Sequence, residues 1–432
     1  MKLVTSRWTT FAAGLLGLTV AGAACSVSNG SEINDDDSAG GSANVGGSGE
    51  GGISLGTGGA GTGTPTGNNC TTDPALDDDN DGYSENDGDC NDCDPNSNPG
   101  AVEVPTPTMG NGGAAPQPAD ENCDGQTDEP KPVCDMGLAL DDTDAMNAAR
   151  AIDLCQQAGM NGVGYGVVSA AYVRANGAAS TSNAGNGLLS DFGSVVPQSG
   201  GAMLGLSSGF ARDASDAGNC GMSNLQSCSH TGMGTPPPMF PQDVPGCTGG
   251  TNINDDVALE VQLHSPTNAN GYSFDFAFMS FEFPEWVCTT FNDQFIALVD
   301  PAPMGAINGN ISFDSLSNPV SVNIALFDNC DPNGIGQFGQ FCNTGCPGPP
   351  NPYCPLGAGF MNGTGFNEWG DSGSTGWLVT TAPVGPDEDV TIRFAIWDTG
   401  DSALDSTVLI DNFQWIGNSG EPVDVGTTPI PK

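Results

Sequence analysis

Positive charge is scarce in this chain. Its 432 residues hold eight Lys plus Arg against 52 Asp plus Glu, a formal net charge of −44. Nucleic-acid binding needs a basic face to replace phosphate counterions, so the balance argues against that class. It argues equally against docking to anionic lipid through a polybasic patch. Histidine is nearly absent, at two residues. Zinc and copper centres draw on imidazole or clustered thiolates, so spacings such as Cys90-x2-Cys93 read better as disulfides. Long apolar runs are missing as well. The longest, Phe11 to Ala24, falls short of the roughly 20 residues that span a bilayer.

What is present begins with an export signal. Lys2 and Arg7 precede that apolar run, which has the length of a signal h-region. It ends in Gly22-Ala23-Ala24-Cys25, which resembles a bacterial lipobox with Gly22 in place of the usual Leu. The expectation is a lipidated Cys25 after removal of residues 1–24. The alternative is ordinary cleavage after Ala21-Gly22-Ala23. By resemblance, Ser26 after the Cys favours the outer membrane or cell surface; the alternative location is secreted. Fourteen Cys remain beyond Cys25. An even count in an exported chain predicts disulfides, up to seven.

Four further segments follow from composition. Residues 25–72 are Gly/Ser-rich with almost nothing to bury, which predicts a disordered tether. As a flexible coil it separates its ends by roughly 35–40 Å. Residues 73–130 are acidic. Residues 131–417 carry nearly all the aromatics, so the folded core belongs there. Residues 418–432 read as a loose tail.

Within the core, Asp141 to Gly159 reads as one helix, with Thr143 or Asp144 as its cap. Strands follow at Val257–His264, Tyr272–Phe278, Phe295–Val299, Val320–Leu326, Trp377–Thr380, Val390–Trp397 and Thr407–Trp415. The first alternates V-L-V-L and the second Y-F-F-F. The aromatic phase then slips to Phe281 and Phe283, which predicts a bulge or bend near Ser280. The fold class is mainly β, a jelly-roll-like sandwich with one N-terminal helix. The loops 214–252 and 328–375 hold seven Cys, so disulfides are expected to staple them.

The acidic stretch Asp77 to Asp94 reads DDDNDGYSENDGDCNDCD, nine carboxylates in eighteen residues. Asp77, Asp79 and Asp81 alternate before Gly82, the DxDxDG spacing of a calcium loop. Asp120, Asn122 and Asp124 repeat it before Gly125, with Asp128 following. Position 12, a Glu in an EF-hand, is Gly88 in the first loop and Lys131 in the second. Other carboxylates, such as Asp87, Asp89 and Asp92, are expected to complete the first loop. The contrasting reading is a disordered acidic spacer. Residues 79–103 and 121–129 resemble the MopE-type metal-binding motif of myxobacterial surface proteins, with an insertion between the two parts. That family name implies copper. The hard carboxylate oxygens suit calcium better, so calcium is the expected cofactor and copper the lesser candidate.

In the core, Glu282, Asn292, Asp293, Asp398, Asp401 and Asp405 lie at ends of aromatic-rich strands. They are expected to meet at one end of the sandwich as a second calcium site; otherwise they are separate turn formers. A glycosidase pair would also use carboxylates, but nothing in the sequence selects two. Gly205 to Gly209 matches GxSxG, with His230 and His264 as the available bases. Its flanks supply neither a clear strand nor a helix, so a Gly-rich turn is preferred to a nucleophile elbow.

Five segments carry a second resemblance: 166–173, 203–212, 274–299, 310–323 and 394–413, which include GVVSAAYV and FAIWDTGDSALDSTVLIDNF. In this order they resemble the choice-of-anchor L domain. The resemblance implies a surface setting and no established chemistry. The expected function is a lipid-anchored surface binding or adhesion protein with structural calcium and no catalysis. Its partner would be a surface ligand, glycan or protein, with the membrane reached through the lipid. The rival is a carbohydrate-active or ester hydrolase using calcium structurally.

Overall fold

The computed structural model describes residues 70–71, 73–106, 117–159, 164–221, 227–324, 326–331, 354–369 and 372–430. The signal segment, Cys25 and all of the tether up to residue 69 lie outside them. The described residues fall in one compact unit.

Among the described residues, twelve strands form two antiparallel sheets. They are β1 (Gly166–Val173), β2 (Asn186–Leu189), β3 (Met203–Ser207), β4 (Ile253–His264), β5 (Ala269–Ser280) and β6 (Gln294–Asp300). After them come β7 (Val320–Ser321), β8 (Asn329–Cys330), β9 (Gly373–Pro383), β10 (Asp389–Thr399), β11 (Ser406–Gly417) and β12 (Gly426–Pro429). The smaller sheet runs β1-β4-β10-β6-β7. The larger runs β12-β9-β5-β11-β3-β2, with β8 on β9. The mainly β, two-sheet fold is as the alternation indicated.

The core lies between the sheets. Val257, Leu259, Val261 and Leu263 are buried there, while Glu260, Gln262 and His264 of β4 reach the surface. Phe274 of β5 meets Phe394 of β10 edge-on at 4.9 Å, and Phe276 meets Phe295 of β6 at 5.0 Å. These ring pairs cross from one sheet to the other and hold the layers in register. The slip after β5 is where the chain leaves the sheet. Phe281 turns to an outer cluster and stacks on Phe366 at 4.1 Å, whereas Phe283 returns to the main core and stacks on Phe327.

Four local expectations need correction. The helix α1 covers only Ala145–Ala151, with the Asp144 carboxylate accepting from the Met146 N–H. It stops because Asp153 takes a left-handed backbone (φ 70°) and Gln156 accepts from Val167 of β1. The strand expected over 320–326 shortens to β7, because the chain turns between Ser321 and Ile324. The tail is not loose throughout: β12 pairs with β9, and the Thr427 and Thr380 hydroxyls bond at 2.8 Å. A second helix, α2 (Phe366–Trp369), was not expected.

Among the described residues, six disulfides join Cys70–Cys93, Cys90–Cys123, Cys134–Cys155, Cys220–Cys228, Cys247–Cys288 and Cys330–Cys354. Cys342 and Cys346 lie outside the described residues. The acidic segment docks on the β4–β5 turn. Asn268 accepts from the Val102 N–H and donates to the Val102 carbonyl, and the Thr267 hydroxyl donates to Asn98. Asn98 and Ala101 are fully buried at this contact.

Candidate metal centres

The two acidic loops are wired alike. Asp77 accepts from the N–H of Asn80 (2.6 Å) and of Gly82 (3.0 Å). Asp120 accepts from the N–H of Asp124 (3.0 Å) and of Gly125 (2.9 Å). Both glycines have a left-handed backbone, φ 98° and 90°, which a side chain would strain. In each loop the first carboxylate thus closes the turn, and in the first loop the alternate side chains Asp77, Asp79 and Asp81 converge.

The first loop has oxygens left over. Asp79, Asp89 and Asp92 offer ligand atoms that all lie within 4.8 Å of one another, and so do Asp77, Asp79 and Asp81. Asp89 and Asp92 are buried, and one oxygen each of Asp79, Asp89 and Asp92 accepts no hydrogen bond. Burial, with the Asp81 charge next, pushes Asp79 up to about 7; burial raises Asp89 to about 6. Such carboxylates resist ionising together unless positive charge enters. Asp87 is placed apart: it is exposed and accepts from the Ser84 hydroxyl at 2.7 Å. The short 3-10 turn Glu85–Asp87 aims it away from the group.

In the second loop, Asn122 donates to Glu129 at 2.8 Å, Asp124 accepts from Gln126, and Asp128 accepts from the Thr106 N–H. Glu103 accepts from the N–H groups of Asn122 and Asp128 and ties the loop to the first half of the segment. Sequence reading missed Glu103. Its spacing of 19 and 25 residues from these partners carries no local signal.

A second acidic cluster lies inside the sandwich. The connections β5–β6 and β10–β11 both pass from one sheet to the other. Ser280 pairs with Ser406, and Trp397 with Gln294, so both crossings occur at one end. This brings together Glu282, Asp293, Asp398 and Asp405, each no more than 2 % exposed. Asp293 accepts from the Thr399 N–H (2.9 Å) and the Ser406 hydroxyl (2.7 Å). Glu282 accepts from the Asp293 N–H (3.3 Å), and Asp405 from the Cys228 N–H (2.7 Å). Burial drives Glu282 and Asp398 well above the carboxylate range, Asp293 to about 7 and Asp405 to about 8. The charges of neighbouring carboxylates add to this, although a hydrogen bond with the Asp398 side chain pulls Asp293 back down.

Asn292 and Asp401 do not join the four. Asn292 is buried but accepts from the Asn323 N–H, on the opposite phase of the chain from Asp293. Asp401 is exposed at the rim, accepts from the Ala403 N–H, and reaches Glu282 and Asp293 only through its charge. Sequence reading missed the neutral wall of the cluster. Ser208 exchanges hydrogen bonds with Ser406, and a Cβ on Gly209 would stand 2.0 Å from the Asp405 carboxylate.

That wall explains the GxSxG match. The Ser207 hydroxyl donates to the Ser406 carbonyl and accepts from Thr407, while His230 meets the Ser207 carbonyl rather than its hydroxyl. The match lies at the end of strand β3 and not in the expected Gly-rich turn, and the Ser207 hydroxyl is held by Ser406 and Thr407 instead of an imidazole. His264 is held instead between Asp387 and Asp389.

No curated protein matches the chain. Residues 155–414 match the choice-of-anchor L domain family, a span that contains the whole buried cluster and excludes the acidic loops. With more than half of its length so matched, the chain belongs to the choice-of-anchor L domain family and is a surface-associated protein.

Proposed function

We propose that this chain is a lipid-anchored surface binding or adhesion protein whose acidic segment is a calcium module of the MopE type. The observation that carries the reading is the convergence of the Asp79, Asp89 and Asp92 oxygens, buried and without hydrogen-bond donors, in a segment docked on the family domain. Calcium takes six to eight oxygens and suits such a set; copper would call for nitrogen or sulfur ligands. Residues 26–69 would act as the tether between Cys25 and the module. The ligand would be a glycan or a protein on a facing surface.

The test is a binding screen of the purified chain on glycan arrays and whole cells, with calcium and with EGTA. Calcium-dependent binding supports the reading. A chain that binds nothing in calcium, yet turns over esters or glycosides on a broad panel, would give the field to the hydrolase reading.

A further inference from the structure

We propose that Glu282, Asp293, Asp398 and Asp405 hold one calcium ion inside the sandwich, pinning together the two crossings between its sheets. The inference shares with the proposed function only the identity of the ion and is independent of the acidic module.

The first support is charge. Four carboxylates are packed into one buried end of the fold, and the described ion pairs all lie elsewhere: on Asp153, Asp256, Asp387, Asp389 and Glu260. Buried like charges without a counter-ion are strongly unfavourable. The second is the state of the oxygens. Both oxygens of Asp398 and one of Asp405 are buried and accept no hydrogen bond. Asp398 is 1 % exposed, and Asp293, Asp405 and Glu282 are the charges that act on it.

Neutralisation by protons alone fits poorly. Both oxygens of Asp293 already accept, from a backbone N–H and a hydroxyl, which is the pattern of an ionised carboxylate. Asp405 and Glu282 each accept a backbone N–H as well. The donors around Asp293 are therefore set for an anion, and the orphaned oxygens of Asp398 and Asp405 are left to a cation.

The donor set selects the ion. It contains oxygen alone, with no His or Cys side chain among the four, which favours a hard cation. Magnesium holds on to several waters and demands near-ideal octahedral geometry, whereas calcium accepts carboxylates mono- or bidentately. Asp398, both of whose buried oxygens lack a well-formed hydrogen bond and meet only the Ser208 hydroxyl and the Asp293 carboxyl, is suited to the bidentate role. Only groups in the acidic segment bring three ligand atoms within 4.8 Å of one another among the described residues. Filling the sandwich site therefore requires side-chain rotation that draws the four carboxylates inward.

The test uses the full chain, stripped with EDTA, in a background that disables the acidic loops (Asp79→Asn, Asp89→Asn, Asp120→Asn, Asp124→Asn). Calcium titration calorimetry and thermal unfolding are read on it. The expected result is one calcium bound per chain and a Tm raised by roughly 4 °C or more at a hundredfold excess over Kd. Adding Asp398→Asn should abolish both. If that variant does not fold, Glu282→Gln in the same background should lose the bound calcium.

A background variant that neither binds calcium nor gains Tm, beside a wild type that does both, overturns the internal site and leaves the acidic-module reading standing. Calcium retained after Asp398→Asn also overturns it. Loss of binding only from the acidic-loop variants and from nothing else has the same meaning. Equal binding of magnesium would overturn the assignment to calcium.

Discussion

His230 and His264 are the only histidines in the chain and sit in opposite environments. His264 is about a quarter exposed, and its ring nitrogens meet Asp389 at 2.8 Å and Asp387 at 2.9 Å. The Asp389 hydrogen bond, then Asp387, raises its pKa above 6.5. A raised folded pKa gives stability that is fully present below 6.5 and lost as pH rises through the folded value. His230 is lowered by burial, against a partial pull from Asp255. A lowered folded pKa gives stability present above 6.5 and lost as pH falls through the folded value. With two histidines, ring-proton NMR should show two titrations, one on each side of 6.5. Two curves that coincide at the free-histidine value would remove both environments. Asp387→Asn should move only the upper curve, and downward.

The longer strands were the legible elements, because period-2 burial writes itself directly on the residues: Leu259, Val261 and Leu263 alternate with Glu260, Gln262 and His264 and fall where expected, whereas the all-buried β3 has no such alternation and was not read as a strand. The helix was overread, because an apolar stripe does not reveal that Asp153 turns left-handed. The four buried carboxylates were legible as acids bordering aromatic strands. Their wall was not, since the Cys228 N–H reaches Asp405 from 177 residues away and Ser208 reaches Ser406 from 198. The acidic loops were legible from the DxDxDG spacing alone, but their attachment to the domain through Asn268 was not. Within the segment, Cys90–Cys123 bridges the two loops. In the chain-entropy picture, closing its 33-residue separation contributes about 3–4 kcal/mol. Replacing both with Ser should therefore loosen residues 117–129 while the sandwich keeps its protection. Hydrogen exchange followed by mass spectrometry checks this; faster exchange in β5 and β11 as well would mean that the segment and the sandwich open as one unit. Separately, Asp79→Ala with Asp81→Ala should weaken calcium-induced ordering of residues 77–129. Circular dichroism insensitive to millimolar calcium in the wild type would favour an acidic spacer that needs no ion.

At the scale of the whole molecule, the charge of −44 decides how the chain can be held at a membrane. Anionic headgroups repel such a charge, which argues against attachment through a basic patch. No helix among the described residues is long and apolar enough to cross a bilayer. In the proposed reading attachment rests on Cys25, where buried acyl chains would add about 0.8 kcal/mol per CH₂ and more than one chain is needed for stable anchoring. Cys25→Ser should release the protein from the membrane fraction, or leave a precursor that still carries residues 1–24. EGTA should not release the wild type, because acyl insertion needs no cation, even though it weakens ligand binding. Fractionation with blotting, together with mass measurement of the mature N-terminus, reads both effects. A mature chain that begins at Ala24 with a free amine would refute lipidation and make the protein secreted. Release of the wild type by EGTA would instead mean that calcium, acting between acidic surfaces, is what holds it to the cell.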